Sequence, residues 1–111
     1  MYTNTNTSRS NSTMNPYLLN NIMDATPAQL LIKVYDFAIV NCKKNELSKT
    51  NAAIQTLIDA LRYDGGEEVK EVSIGLLRLY QYCQEQTRRG NFDSVLKILT
   101  ELRESWSVIL K

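Results

Sequence analysis

The chain has no histidine among its 111 residues. That removes imidazole general bases, Ser-His-Asp and Cys-His nucleophile arrangements, and nearly all zinc and di-iron ligand sets. It also has no excess of charge: 13 basic and 12 acidic residues leave a net charge of +1. Nothing pulls it toward nucleic acid or anionic lipid at long range. No apolar run approaches the ~18 residues that a membrane-spanning helix needs. The N-terminal stretch lacks the apolar core of a secretory signal, so the cytoplasm is the expected compartment. Alternation of apolar and polar residues, the mark of strands, is missing, and no internal repeat is evident. Gly65-Gly66 has neither Gly-x-Gly-x-x-Gly nor Walker spacing and reads as a turn.

Some residues with chemical potential remain. Cys42 and Cys83 lie far apart, without a C-x-x-C pairing, inside apolar helical stripes. They read as two buried free thiols in a reducing compartment, with a disulfide as the alternative. Glu67, Glu68, Glu71, Glu101 and Glu104 read as solvated helix faces or first-turn charges favoured by the helix dipole. Lys43, Lys44 and Lys49 read as a solvated edge. No catalytic residue, cofactor site or metal site is indicated, and no enzymatic function is expected.

What the chain does have is apolar periodicity at helical spacing. The length suits one domain. Residues 1–13 contain ten Asn, Ser or Thr and have little to bury. They read as a disordered polar arm that cannot offset the entropy of ordering. Residues 14–111 read as a single helical domain. Within it, residues 14–24 form a short apolar capping segment whose 18, 19, 22, 23 spacing suits about two helical turns. Such a short segment needs a surface to lie on. It is either a permanent clamp on the domain or a lid over an apolar groove.

Four longer helices are predicted, at about 27–44, 48–63, 67–89 and 92–110. The first opens on Thr26, Pro27 and Gln29, which fit an N-cap, the first helical position and a capping box. Its apolar residues Leu30, Leu31, Ile32, Val34, Tyr35, Ala38, Ile39 and Cys42 span roughly 200°, against ~100° for a helix with one packed face. The second carries Ile54, Leu57, Ile58 and Leu61 on a single face. The third has Val69, Val72, Leu76, Leu79, Tyr80 and Cys83 as its expected core face, with Ile74, Leu77 and Tyr82 outside it. Its end is marked by Arg88, Arg89 and Gly90. The fourth spreads Phe92, Val95, Leu96, Ile98, Leu99, Leu102, Trp106, Ile109 and Leu110 over roughly 160°. Short connections imply antiparallel neighbours, so the fold class is all-α, an antiparallel four-helix bundle with an N-terminal capping segment.

Three of these helices carry surplus apolar residues at once: Phe37 and Val40, Ile74 and Leu77, Ile98 and Ile109. A bundle of this size cannot hide all of them. The remainder is expected to form an exposed apolar groove, and its natural occupant is an amphipathic helix.

At this point the chain resembles a known family, the flagellar secretion chaperone FliS. The likeness runs from about Asn15 to Trp106. Tyr17 matches the family's N-terminal tyrosine. Asp24-Ala25-Thr26-Pro27-Ala28-Gln29-Leu30 and Val34-Tyr35-Asp36-Phe37-Ala38-Ile39 resemble Thr-Ala-Ser-Pro-x-x-Leu and Leu-Tyr-Asp-Gly-Ala-Ile. Gly65-Gly66 and Leu79-Tyr80-Gln81-Tyr82-Cys83 echo a later Gly-Gly and Leu-Tyr-Asp-Tyr-Met. Leu102-Arg103-Glu104-Ser105-Trp106 matches a closing Leu-Arg-x-x-Trp. Phe37, Gln81 and Cys83 depart from the family's glycine, aspartate and methionine.

The resemblance implies a cytoplasmic bundle that holds the C-terminal amphipathic helices of flagellin, prevents their polymerisation and delivers them to the flagellar export apparatus. It also implies that the N-terminal segment covers part of the groove when no client is bound. On this reading Tyr17, Leu18 and Ile22 are lid residues. Leu30, Val34 and Phe37 offer groove surface on the first helix, and Ile74, Leu77 and Gln81 on the third. The alternative is a homo-oligomeric or adaptor helical module that binds a different helical partner.

Overall fold

The computed structural model describes residues 27–109. The polar arm and the capping segment, with Tyr17, Leu18 and Ile22, lie outside the described residues. Four helices and no strand occur within them: α1 (Pro27–Lys43), α2 (Leu47–Asp59), α3 (Glu67–Arg88) and α4 (Phe92–Ile109). They form an all-α four-helix bundle. Each helix packs on two neighbours, closing a square: α1 on α2 and α4, and α3 on α2 and α4.

Local chemistry sets the two tightest corners. After α1, Asn45 adopts φ 58°. Its N–H bonds to the Cys42 carbonyl at 3.0 Å, and the Glu46 N–H reaches the Asn41 carbonyl at 2.9 Å. After α3, Gly90 adopts φ 82°. The same pair of bonds runs from Gly90 to Thr87 and from Asn91 to Gln86. Both corners are Schellman caps, in which one left-handed residue lets the chain satisfy the last carbonyls and reverse.

Cross-helix bonds give the direction. Cys42 near the end of α1 meets Phe92 at the start of α4, while Asp36 meets Arg103 and Tyr35 meets Trp106. Asn51 of α2 meets Gln84 and Thr87 of α3, and the Arg62 carbonyl meets Ser73. Both pairs therefore run antiparallel.

The core consists of Val34, Tyr35, Ala38 and Cys42 from α1, Ala53, Ile54 and Leu57 from α2, Tyr80 and Cys83 from α3, and Val95 and Leu99 from α4. Leu30, Leu31, Phe37 and Ile39 pack partly against it. The wide arc of α1 is thus largely absorbed by two neighbours. Both cysteines are free and buried, as expected.

Two expectations are corrected. The second helix ends at Asp59, not near Tyr63. Leu61 turns onto the core from outside the helix, and the Arg62 carbonyl accepts a bond from the Ser73 hydroxyl instead of continuing a helical ladder. The core face of α3 is also not the one its hydrophobicity suggests. Val69 and Val72 are exposed, and the buried positions are Ser73, Tyr80, Cys83, Gln84 and Thr87. Ser73 lies level with Arg62, three residues past the end of α2, so Val69 extends beyond that helix, while Val72 lies on the flank turned toward α4. Gly65 of the 60–66 connection lies against the Val69 side chain.

Candidate partner-binding surface

The interior is held by packing and hydrogen bonds. Among the described residues no group of three potential metal ligands comes together. No described helix is long and apolar enough to cross a membrane. A shallow depression of about 420 Å³ lies between the α1–α2 turn and the start of α4. It is lined by Asn45, Gly90, Asn91, Phe92, Asp93 and Ser94.

At the centre, three helices meet through aromatic hydroxyls and an indole. The Tyr35 and Tyr80 hydroxyls share a hydrogen bond, and the Trp106 Nε1–H donates to the Tyr35 oxygen at 2.9 Å. The two tyrosine rings are tilted, with centroids 6.5 Å apart. Arg103, one turn before Trp106, makes a two-pronged ion pair with Asp36. This contact holds the Arg103 guanidinium above its ordinary pKa. Tyr35, Asp36, Tyr80, Arg103 and Trp106, from α1, α3 and α4, therefore pin the three helices together.

Burial governs titration here. It pushes the Cys83 thiol up to about 12, with Cys42 adding to the shift. It also raises Cys42, Tyr35 and Tyr80, with Asp93 adding at Cys42 and Tyr35 at Tyr80. In each case the folded chain keeps a proton that the unfolded chain releases. Stability is then complete below the unfolded thiol pKa of about 8.5 and declines as pH rises, more steeply past about 10 where free tyrosine ionises. Melting temperature measured from pH 7 to 10.5 should hold level and then fall. A level trace throughout would mean that these groups are solvated.

The α2–α3 contact is polar. Gln84 Nε2–H donates to Gln55 Oε1 at 3.1 Å and to the Asn51 carbonyl at 3.3 Å. Asn51 Nδ2–H returns a bond to the Gln84 carbonyl at 3.3 Å. Thr87 Oγ1 lies against both Asn51 Oδ1 and the Gln84 carbonyl. Thr50 Oγ1 is buried without a hydrogen-bond partner. These bonds fix register and mark which side of α3 faces α2.

That marker locates the groove residues expected from sequence. At 100° per residue, measured from Tyr80, Ser73 and Gln84 lie about 20° and 40° toward α2. Ile74 and Gln81 lie about 120° and 100° the same way, on the outer flank of the α2–α3 seam. Leu77, at about 60°, borders that seam. Ile74 and Leu77 are half-buried and Gln81 is exposed. On α1, Leu30 and Phe37 are half-buried, on the flank turned toward the other side of α2. The two sets therefore line two different seams. Val34 is corrected outright: its relative exposure is 0%, and it belongs to the core.

A third surface was missed. From the same reference, Val72 and Leu79 lie about 80° and 100° toward α4. Val72 is 61% exposed and Tyr82, further round, 51%. Leu79 is half-buried without packing on the core cluster. Gly75 sits among them. A Cβ there would meet nothing within 4 Å. Glycine inside a helix costs roughly 0.5–1 kcal/mol relative to alanine, and no neighbour in the described chain requires it. The sequence signals for this seam were the mid-helix glycine and Tyr82, which periodicity places outside the core face.

Compared with family models, with characterised proteins and with solved structures, the chain gives no match in any of the three.

Proposed function

We propose that this protein is a non-enzymatic export chaperone. It binds the C-terminal amphipathic helices of flagellin in apolar seams on the outside of the bundle. By burying their apolar faces it keeps them from polymerising in the cytoplasm and presents them to the flagellar export apparatus. The observation that carries this reading is the apolar surface left over after the square of helices has closed: Ile74 and Leu77 on one flank of α3, Val72 and Tyr82 on the other. Surfaces of this kind are typical of helix-in-groove recognition. The meeting of Tyr35, Asp36, Tyr80, Arg103 and Trp106 supports it further. These five residues come from three of the segments on which the resemblance rests.

The test is calorimetric titration with a peptide matching the C-terminal helices of the same organism's flagellin. Tight 1:1 binding with a negative heat-capacity change is expected. Leu77→Asp should abolish binding while helicity and melting stay near wild type, because Leu77 is only half-buried. Absence of binding to the full chain, and again after removal of residues 1–23, would overturn the proposal. Mass that grows with concentration in the absence of peptide would point instead to a self-associating module.

A further inference from the structure

The α3–α4 seam has a shape and charge that select one kind of occupant. The two helices are antiparallel and joined by a three-residue turn. Counting outward from that turn sets Tyr82 level with Ile98, Leu79 with Leu102, Gly75 with Ser105 and Val72 with Val108. On α4, Arg103 faces α1 through Asp36. Measured from Leu99, Leu102, Ile98 and Ser105 lie about 60°, 100° and 120° toward the other side, where α3 packs. An apolar strip therefore runs from Val72 to Tyr82, about 15 Å along α3, or nearly three helical turns. Between the Val72 and Leu79 levels the small residues Gly75 and Ser105 lie level with each other, both exposed. Larger side chains rise on either side, at Val72 and at Leu79, so a second helix backbone can approach closely between them.

The charges around the strip are uneven. Glu68 and Glu71 flank its Val72 end, and Glu101 borders it on α4. All three are exposed, and none makes an ion pair among the described residues. Arg78 and Lys97 stand further out, Lys97 beyond the Tyr82 end. The chain's own apolar segment does not match this rim. Residues 10–26 contain no lysine or arginine and one aspartate, Asp24.

We infer that the α3–α4 seam docks a partner's amphipathic helix of about three turns, its backbone crossing at Gly75 and its basic end lying over Glu68 and Glu71. This inference rests on the proposed helix-binding function and names the seam and the charge of the segment it takes. Apolar contact supplies the binding, and the acidic end sets the direction in which the helix lies.

The test uses the full chain and two labelled synthetic peptides with one apolar pattern, at i, i+3, i+4 and i+7. One peptide carries lysines at one end, the other glutamates. Fluorescence anisotropy should show the lysine peptide binding at least tenfold tighter, with the preference shrinking in high salt. Gly75→Leu should weaken it at least tenfold without lowering the melting temperature, since the added side chain enters open space. Gly75→Ala should weaken it less while raising the melting temperature. The pair Glu68→Lys and Glu71→Lys should reverse the preference.

Wild-type affinity in Gly75→Leu would overturn the inference. So would a change of oligomeric state on that substitution, which would make a second copy the occupant. Tenfold tighter peptide binding after Leu18→Asp and Ile22→Asp would make the chain's own segment the occupant instead. The two readings separate cleanly. A flagellin peptide that binds regardless of Gly75→Leu removes this seam alone. A lysine peptide that binds here while the flagellin peptide binds nowhere removes flagellin alone.

Discussion

Val34→Asp should unfold the bundle, although Val34 belongs to the apolar set that sequence offered as partner surface. The side chain is fully buried among core residues. Losing the buried valine costs about 2 kcal/mol. Placing a carboxyl there without a partner costs roughly 2 kcal/mol or more, even when the group takes up a proton to avoid charge. Together these approach the ~5 kcal/mol at the low end of domain stability. The introduced carboxyl would have a raised pKa when folded, so the loss should deepen as pH rises past about 4. Circular dichroism at pH 7 should show lost helicity or a melting temperature lowered by tens of degrees. Wild-type melting would mean that Val34 can reach solvent, and would return it to the groove. Leu77→Asp makes the contrast, because the same substitution on the α3 flank leaves the aspartate partly in water.

Trp106→Ala should cost about 3–5 kcal/mol, the range for removing large aromatics from packed sites. Trp106 is half-buried and packs on the core, so area alone would suggest the lower end. Its indole also holds the Tyr35 oxygen, which is paired to Tyr80 in the middle of the bundle. Alanine leaves that buried pair with one donor fewer and opens a space beside it. Urea denaturation should show a lower midpoint with little change in slope. Trp106→Phe should recover much of the packing without the hydrogen bond, so the gap between the two variants measures the indole N–H. An unchanged midpoint in Trp106→Ala would show that the residue lies outside the stabilising core.

The four helices were legible because each announces itself locally. Pro27 opens α1, Gly66 precedes α3, and Gly90 closes it at φ 82°. Apolar spacing did the rest. The end of α2 was not legible, because nothing in residues 60–63 breaks a helix. The chain leaves it where Leu61 finds the core and Ser73 takes the Arg62 carbonyl. That early exit leaves Val69 exposed, and Val72 is exposed on the α4 flank; the apolar pattern had assigned both to the core face.

The candidate surface shows the same division. Leu30, Phe37, Ile74 and Leu77 were expected to offer groove surface, and all four are half-buried. Sequence could not say that they flank two different seams, or that Val34 lies inside. An apolar side chain looks the same whether a neighbouring helix covers it or not.

By itself the sequence determined the helical class, the approximate helix ends at glycine and proline, the lack of imidazole chemistry and the existence of more apolar surface than one small bundle can hide. These follow from local backbone preferences and from composition, which act within a few residues. Only the tertiary structure decided which apolar faces are closed. It brought Tyr35, Tyr80 and Trp106 into one cluster from three helices, filled the α2–α3 contact with amides and hydroxyls, and left Gly75 open on the α3–α4 flank. Burial depends on how far each neighbouring helix extends and on how it is rotated. Both are set by contacts between residues distant in the chain.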